Sequence, residues 1–366
     1  MESPNKKFFA VFDKFLFGSL GCAMLVLCVL LGIFVYVWQN PPGSEPVATQ
    51  TSLAFGDVST ATPDPNPTAT LSLFTTPTEF LVTTPTEAGE LSGVPSPIPE
   101  FGDSPPTGKI VFTCFIKQID QICIMNADGS GRKQLTDFDA TSFYASLSPD
   151  GETIYFSRKG ASFDIYSMNI RGKEVRRLVA GIGSLYAPER SPQDDRIVFT
   201  NQTGGEQQIW VARLDGKNPH ALTQGPEDID PTYSPDGLSI AFASARTGQR
   251  QLYVMERDGS NVRQLTNLPD MGGRSSWSQD GRRLTFYAGP IGDRNIYVIN
   301  ADGTGLTILT HGGDNLGPSW SPDGEWIAFT SFRDGNNEIY IMRADGTNVT
   351  RLTANSISDW QPRWGR

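Results

Sequence analysis

The sequence predicts an all-β fold: a six-bladed β-propeller of four-stranded antiparallel blades, preceded by one transmembrane helix and a disordered stalk. Three features support this prediction. They are a long uncharged segment near the N-terminus, a stretch rich in proline and threonine, and a unit of 43 or 44 residues that recurs up to the C-terminus. The predicted segments are a cytoplasmic tail (1–14), a transmembrane helix (15–38), a stalk (39–107) and the propeller (108–366).

The predicted membrane helix consists of 24 residues without a charge, 15–38. At about 1.5 Å per residue, a helix of this length crosses a hydrocarbon core of roughly 30 Å. Lys6, Lys7 and Lys14 precede the segment, and no Lys or Arg follows it before Lys109. Because positively charged flanks remain on the cytoplasmic side, we expect a single-pass protein with a cytoplasmic N-terminus and an extracytoplasmic propeller.

A cleaved signal peptide is the alternative interpretation of this segment. The apolar core of a signal peptide is usually about 7–15 residues long and precedes a cleavage site with small residues. Here the apolar run is longer and continues into the aromatic stretch Val35–Asn40, which is a poor cleavage site. The sequence therefore favours a retained anchor.

The stalk carries most of the negative charge of the chain. Residues 41–107 contain 13 prolines and eight acidic side chains but no Lys or Arg. Proline cannot donate a backbone hydrogen bond, and the segment has no apolar periodicity, so an extended spacer is expected. Of the total net charge of −10, only −3 remains for residues 108–366. A nearly neutral domain lacks the positive field that nucleic-acid binding requires, and no nucleic-acid partner is predicted.

The repeat in residues 108–366 determines the predicted fold. Each unit contains a Ser-Pro-Asp-Gly segment or a degenerate copy, a strand with a central phenylalanine, a second apolar strand, an Asp-Gly turn and, in most units, a Leu-Thr pair. The serines of the first segment are Ser148, Ser191, Ser234, Ser278 and Ser321. Asp-Gly suits the tight turns of antiparallel hairpins. A sheet of four short strands cannot bury both of its faces alone, but sheets stacked radially can, which gives a propeller.

The two ends of the repeat region predict how the ring closes. Six phenylalanine strands are present, but only five internal copies of the Ser-Pro-Asp-Gly strand. The C-terminal residues 359–364 repeat the lead-in 316–320 after about 44 residues. We therefore expect the C-terminal strand to complete the first blade.

These spaced elements resemble the TolB-like propeller repeat, a WD40-like family with the pattern W-S-P-D-G, I-A-F, I-Y, D-G and L-T. The resemblance covers nearly all of 108–366 and includes several elements that recur six times. It implies a six-bladed interaction domain of the bacterial cell envelope that is usually not an enzyme. The predicted function is accordingly a membrane-anchored module that binds a protein, peptide or glycan.

Polar loops on one face of the propeller form the predicted ligand site. Connections between blades would surround the channel mouth with acidic and amide side chains, and connections between second and third strands would place cations further out. We call this an acidic funnel inside a basic rim, suited to a ligand with a cationic centre. The funnel contains Asp137, Asp139, Asp228, Asp230, Asp270, Asp314, Asn315 and Asp359; the rim contains Lys117, Arg158, Lys159, Arg246, Arg250, Arg294 and Arg333.

An enzyme is the alternative function, namely a metal-dependent hydrolase of the lactonase type at the channel mouth. Asp228, Asp230, Asp314, Asn315 and Asp359 have the oxygen donors that such a metal requires. Against it, their spacing is only that of the loops between blades, and the chain contains no nucleophile elbow, H-E-x-x-H pair or P-loop. We predict no catalytic residue, no metal site and no cofactor.

Two cysteines lie in the predicted outer domain, Cys114 and Cys123. They stand on adjacent strands of one hairpin, and both depart from the residues found in the other five blades. In an oxidising compartment a disulfide between them is expected, provided that the hairpin register brings their Cα atoms within about 7 Å.

Overall fold

The computed structural model describes Phe101 and residues 104–366 of the chain. This part consists of β-strands, turns and loops, and contains no helix long and apolar enough to cross a membrane. The predicted tail (1–14), transmembrane helix (15–38) and nearly all of the stalk lie outside the described residues.

The strands form six antiparallel four-stranded sheets, which confirms the predicted propeller. We number the sheets as blades 1 to 6 in chain order and give their strands from the channel outward. Blade 1 contains β24 (Asp359–Gly365), β1 (Lys109–Ile116), β2 (Ile119–Asn126) and β3 (Lys133–Gln134); blade 2 contains β4 (Ser142–Leu147), β5 (Thr153–Lys159), β6 (Phe163–Asn169) and β7 (Arg176–Val179); blade 3 contains β8 (Ser184–Arg190), β9 (Arg196–Thr203), β10 (Glu206–Arg213) and β11 (His220–Ala221).

The second half of the ring repeats this order. Blade 4 contains β12 (Asp228–Tyr233), β13 (Ser239–Ser244), β14 (Gln251–Glu256) and β15 (Arg263–Gln264); blade 5 contains β16 (Ser276–Trp277), β17 (Arg283–Ala288), β18 (Asn295–Asn300) and β19 (Thr307–Ile308); blade 6 contains β20 (Asn315–Trp320), β21 (Trp326–Ser331), β22 (Glu338–Arg343) and β23 (Thr350–Arg351).

The C-terminal strand completes blade 1, as predicted. β24 pairs antiparallel with β1, with Ile110 opposite Trp364 and Cys114 opposite Asp359. The indole N–H of Trp364 also donates to the Thr107 carbonyl at 2.8 Å. The two ends of the propeller are thereby joined within one sheet.

The hydrophobic core lies between the blades, in six clusters that each combine side chains of two neighbouring blades. The phenylalanine at the centre of each second strand is fully buried in these clusters, and in four blades it stacks on the tyrosine of the third strand. Because no blade has a core of its own, each depends on its neighbours for burial. The six phenylalanines are Phe112, Phe156, Phe199, Phe242, Phe286 and Phe329.

The two faces of the propeller differ in their connections. The turn face carries the turns between first and second strands and between third and fourth strands. On this face the Ser234 hydroxyl donates to Asp236 at 2.6 Å, and this hydrogen bond lowers the pKa of the Asp236 carboxyl. The loop face carries the connections between second and third strands and between blades. There the Leu-Thr threonine accepts a hydrogen bond from the third strand, for example at 2.9 Å from the Leu252 N–H to Thr266 Oγ1.

Candidate functional site

In five of the six blades the innermost strand places one residue in a left-handed bulge beside the channel. In β4, β8, β12 and β20 the pairing with the second strand shifts register at this point, and the residue has a φ between +49° and +56°. Gln361 of β24 shares this φ, whereas Arg274 in the chain before β16 does not. We call these six residues the channel ring: Tyr144, Ala187, Asp230, Arg274, Gly317 and Gln361.

Arg274 of the channel ring crosses the channel. It belongs to blade 5, yet its Nη2 lies 3.4 Å from the Ala145 carbonyl and its guanidinium 5.2 Å from the centre of the Tyr144 ring, both in blade 2. Blades 2 and 5 are opposite one another in a ring of six. Only 4% of Arg274 is exposed, and burial together with the nearby charge of Arg363 lowers its pKa to about 9.

Arg363 of β24 is the second buried cation of the channel. Its Nη1 donates to the Ser275 carbonyl of blade 5 at 2.9 Å, and its Nη2 lies 3.9 Å from Glu189 Oε2 of blade 3. Only 7% of Arg363 is exposed. Arg274 and Arg363 together link four blades, and we call them the arginine layer.

Asp230 is the predicted acidic residue that lies among these channel groups. Its backbone N–H donates to Thr200 Oγ1 at 2.9 Å, and the charges of Arg274 and Arg363 act on its carboxyl. Burial raises the pKa of this carboxyl, and the two arginines offset the rise only in part. Asp230 and the arginine layer thus form the polar interior of the channel.

Aromatic side chains of blades 2 and 3 surround the loop-face mouth of the channel. Phe143 contacts Phe163 with ring centroids 5.0 Å apart, and Phe163 contacts Tyr186 at 5.1 Å. Tyr144 lies 4.8 Å from Phe143 and 6.3 Å from Tyr186. All four rings are half-buried, so part of each remains accessible. We call Phe143, Tyr144, Phe163 and Tyr186 the aromatic mouth.

Of the other predicted funnel residues, Asp137, Asp139 and Asp270 are exposed, whereas three lie inside the blades. Asp228, Asn315 and Asp359 are each 0% exposed, because the first residue of an innermost strand turns its side chain toward the outer strands of its blade. Asp228 Oδ1 lies 3.1 Å from Arg246 Nη2, and Asp359 Oδ1 lies 2.8 Å from Arg132 Nη2. These carboxylates are thus occupied by arginines of the same protein.

The predicted rim cations have similar internal contacts. Arg294 Nε donates to Asp314 at 2.6 Å, and this hydrogen bond lowers the pKa of the Asp314 carboxyl. Arg333 Nη2 donates to Asn315 Oδ1 at 3.1 Å, and Arg158 lies 3.8 Å from the centre of the Phe138 ring. Asp228, Asp314 and Asp359 are thus paired with arginines, and Asp230 alone of the proposed funnel residues lies among the channel groups. Within residues 104–366, no three His, Cys, Asp or Glu side chains are grouped as metal ligands.

A cavity of about 340 Å³ opens at the turn-face end of the channel. The residue two before the repeat serine, or before Gly365 in blade 1, contributes to its wall in every blade: Ser146, Glu189, Thr232, Ser276, Ser319 and Arg363. Sequence reasoning missed Glu189, Arg274 and Arg363. The signal that identifies Glu189 and Arg363 is their departure from the repeat, since the other four blades have a serine or threonine at this position.

Cys114 and Cys123 are paired within blade 1, with Cα atoms 5.9 Å apart. They are diagonal neighbours across the β1–β2 hairpin, where Cys114 is opposite Gln121 and Cys123 is opposite Phe112. Both lie fully buried in the cluster between blades 1 and 6.

Comparison with known proteins gives both a family and a fold. A family model described as the TolB β-propeller domain (PD40) matches residues 179–288 and 264–366, which together make up half of the chain. The uncharacterized protein Atu1656 of Agrobacterium fabrum is 34% identical over 94 residues, or 25% of this chain. The chain spans about a third of that relative, since the match covers 32% of it.

Solved structures show the same fold at low sequence identity. TolB from Acinetobacter baumannii has a TM-score of 0.64 at 23% identity, covering 71% of this chain and 67% of that one. Putative TolB from Agrobacterium tumefaciens has a TM-score of 0.57 at 19% identity, and the match covers 68% of this chain and 89% of that one. A chain of the nidogen/laminin complex has a TM-score of 0.58 at 12% identity, and the match covers 70% of this chain and 98% of that one. With the matched family model, the six blades and the recurring strand motifs in agreement, the chain belongs to the TolB β-propeller family.

Proposed function

We propose that the propeller binds a segment of another protein at the loop-face mouth of its channel, in an extracytoplasmic compartment where residues 15–38 anchor it. The observation that carries this proposal is the aromatic mouth, four half-buried rings beside the buried charges of Asp230 and Arg274.

The distribution of aromatic side chains favours a protein ligand on the loop face. Phe115 and Phe332 are 40% and 48% exposed and lie at the loop-face ends of β1 and β21, in the neighbouring blades 1 and 6. They are the exposed aromatic residues among those that the structure describes. Rigid aromatic side chains are enriched at the centres of protein interfaces, where they bury a large area with little loss of conformational entropy.

Backbone strain at the channel ring supports the same location. A residue other than glycine in the left-handed region costs roughly 1–2 kcal/mol. Tyr144 and Asp230 adopt φ values of +56° and +55° there, although Gly317 shows that glycine fits the same position of the repeat. Retained strain is typical of sites that hold side chains in a functional orientation. Here it directs a tyrosine and an aspartate toward the channel.

The channel also offers both kinds of hydrogen-bonding group that a peptide backbone needs. Asp230 provides acceptors, and Arg274 provides donors, of which Nε and Nη1 have no partner within the described residues. Buried polar groups normally find partners, so an extended segment that supplies both carbonyl and N–H groups would complement this surface.

The anchor and stalk would hold the site away from the membrane. If residues 39–107 are extended at about 3.1 Å per residue, the spacer reaches roughly 200 Å. Such a reach lets the loop face meet a partner that lies elsewhere in the envelope. Protease treatment of intact cells tests the orientation, because the propeller should be released while residues 1–14 remain protected.

Site-specific photocrosslinking in living cells tests the binding site itself. A photoreactive phenylalanine analogue replaces Tyr186 of the aromatic mouth in the full-length chain and, as a control, Leu238, which is 54% exposed on the turn face. We expect a discrete protein adduct from position 186 and none from position 238. Adducts from both positions, or a glycan ligand and no protein adduct, would contradict the proposal.

A further inference from the structure

The cavity at the turn-face end of the channel is separate from the aromatic mouth, which lies on the opposite face. Its volume of about 340 Å³ lies within the range of small-molecule pockets, roughly 300–1,000 Å³. The wall is mixed: hydroxyl and charged side chains lie beside prolines and beside the small exposed parts of Trp277, Trp320 and Trp364. The cavity therefore suits a small ligand that carries both a polar group and an apolar body.

Two arginines in the wall depart from the repeat. Arg190 stands where the other blades have Leu147, Tyr233, Trp277, Trp320 or Trp364, and Arg363 stands where four blades have a serine or threonine. In those blades the smaller hydroxyl joins neighbours, as when Ser276 Oγ accepts from the Trp320 N–H at 3.1 Å. Most of the other blades pack with a small hydroxyl or an uncharged larger side chain at these positions, so the repeat itself does not call for a cation at either one.

Neither arginine has a fully satisfied charge. Arg363 Nη2 lies 3.9 Å from Glu189, which exceeds a hydrogen bond, and its Nε has no partner within residues 104–366. Arg190 lies 4.0 Å from Asp150 and 3.6 Å from Asp195, whose side chains are 61% and 73% exposed, and its Nε also has no partner in the part of the chain that the structure describes. Solvated ion pairs at such distances contribute little to the stability of the fold. A buried guanidinium normally makes several hydrogen bonds.

The carboxylate of Glu189 does not neutralise both cations. Its Oε1 already accepts from Thr232 Oγ1 at 2.9 Å and from the Tyr233 N–H at 2.8 Å, which fix it against blade 4. The wall contains three guanidinium groups, those of Arg190, Arg363 and Arg366, and one acidic side chain, Glu189, so its side chains carry a net positive charge. A negatively charged ligand would offset this charge.

We infer that this cavity binds an organic carboxylate, with its acid group held by Arg190 and Arg363 and its body packed against the tryptophan rings. Arginine is suited to this role because its planar fork matches the two oxygens of a carboxylate. The carboxylate has two possible sources, a free small acid or the C-terminus of a peptide. This inference does not rest on the proposed loop-face site, and its test uses a different face and a different readout.

Tryptophan fluorescence of the full-length protein in detergent measures the binding, because three indoles line the cavity. The probes are benzoate and benzamide, which have the same shape but differ in charge. We expect a saturable change with benzoate that is at least about tenfold weaker with benzamide, since a charged hydrogen bond contributes roughly 1.5–3 kcal/mol. Equal responses to both probes, or no response to either, would overturn the inference.

Variants locate the acid group. Arg190→Gln should weaken benzoate binding about tenfold, whereas Arg213→Gln, at a turn-face arginine outside the cavity wall, should leave it unchanged. Arg190 is chosen over Arg363 because Arg363 also links blades, and its loss would disturb the fold. Unchanged benzoate binding in Arg190→Gln would show that the arginine does not hold the acid.

Peptide probes distinguish the two sources of the carboxylate. N-acetyl-Ala-Phe with a free C-terminus is compared with its C-terminal amide and with benzoate. Tighter binding of the peptide acid than of benzoate assigns the cavity to a protein C-terminus, and weaker binding assigns it to a free small acid. In both cases the amide should bind at least about tenfold more weakly than the acid, and equal binding of the two would contradict a carboxylate site.

Discussion

At the scale of single residues, the channel ring shows how one backbone position serves two purposes. Four of its residues other than glycine adopt a positive φ, and the residue that follows is proline in four of the six blades. Proline lacks an N–H and is tolerated in a sheet at edges and bulges. The bulge gives the inner strand a place for proline, and it also turns the preceding side chain toward the channel.

The strain at this position can be measured at Ala187, whose side chain is a single methyl group with a φ of +49°. We expect Ala187→Gly to raise the free energy of unfolding by roughly 0.5 kcal/mol, because glycine removes the left-handed penalty. The matched control is Ala212→Gly in β10, which is also buried but outside the left-handed region. Denaturant unfolding should show a loss of roughly 1 kcal/mol there. Equal losses at both positions would argue against strain.

At the scale of elements, the third strands of blades 4 and 6 each begin with a polar residue that organises the loop to the next blade. In blade 4, Gln251 Oε1 accepts from Thr266 Oγ1 at 2.7 Å and from the Leu268 N–H at 3.0 Å. In blade 6, Glu338 accepts from Thr353, from the Asn355 N–H at 3.0 Å and from Arg351 at 3.0 Å. The equivalent threonine and backbone N–H donors of the loop are thus accepted by a side-chain amide in blade 4 and by a carboxylate in blade 6.

This equivalence predicts different outcomes for two substitutions of Glu338, which is fully buried. Glu338→Ala leaves several buried donors without an acceptor, and we expect a loss of about 3 kcal/mol in the free energy of unfolding. Glu338→Gln preserves the acceptor, as Gln251 does in blade 4, and should cost about 1 kcal/mol. Thermal and denaturant unfolding of both variants measure the difference. Similar losses in the free energy of unfolding would show that the negative charge of Glu338 matters more than its role as a hydrogen-bond acceptor.

The β1–β2 hairpin of blade 1 is the other element with a specific covalent feature. Cys114 and Cys123 close a loop with a sequence separation of nine residues. A short loop of this kind stabilises the fold by about 2–3 kcal/mol, largely by restricting the unfolded chain. Reversed-phase mass analysis should show the protein two hydrogens lighter without reductant than with it. The Cys114→Ala/Cys123→Ala variant should unfold at lower denaturant concentration, and identical masses would exclude the bond in the isolated protein.

At the scale of the whole molecule, the ring depends on closure and on the many aspartates of its turns. Closure follows from β24, whose residues contribute Arg363 to the channel and Trp364 to the cluster between blades 1 and 6. Because each blade is buried by its neighbours, loss of this strand would expose two interfaces at once. The C-terminal strand is therefore both the inner wall of blade 1 and the source of half of the arginine layer.

The turn aspartates predict how stability depends on pH. Hydrogen bonds lower the pKa of seven of them, from serine or threonine hydroxyls in six cases and from the Lys217 N–H at Asp215: Asp150, Asp215, Asp236, Asp258, Asp280, Asp302 and Asp345. A carboxyl with a lower pKa in the folded state binds fewer protons there than in the unfolded state. Such a carboxyl contributes fully to the free energy of unfolding at a pH above its unfolded pKa of about 3.9. This contribution is lost as the pH falls through the pKa of the folded state.

Three carboxyls act in the opposite direction, because burial raises the pKa of Asp120, Asp230 and Asp359. They are fewer, so we expect a net loss of stability as the pH falls below about 4. Unfolding measured between about pH 6 and pH 3 tests this, and the Asp236→Asn/Asp280→Asn variant should show a shallower loss. A flat profile in the unmodified protein would contradict the role of the turns.

Sequence alone determined the blade number, the strand order and the closure, because each depends on a pattern that recurs with a fixed period. Ser-Pro-Asp-Gly, the central phenylalanine and Leu-Thr serve the same local purpose in most blades, so comparison within one chain identifies them. The proposed site was less predictable. Asp228, Asn315 and Asp359 resemble accessible loop residues in the sequence, yet they point into their blades.

The contacts between side chains across the channel follow from the closed ring and not from the repeat. Arg274 contacts Ala145, which is 129 residues away in the chain, and Arg363 contacts Ser275, which is 88 residues away. No local pattern encodes such contacts, because they depend on the diameter of the closed ring and on side chains from opposite blades. A repeat specifies how each blade folds and packs on the next, whereas the chemistry of the channel arises from the residues at which individual blades depart from that repeat.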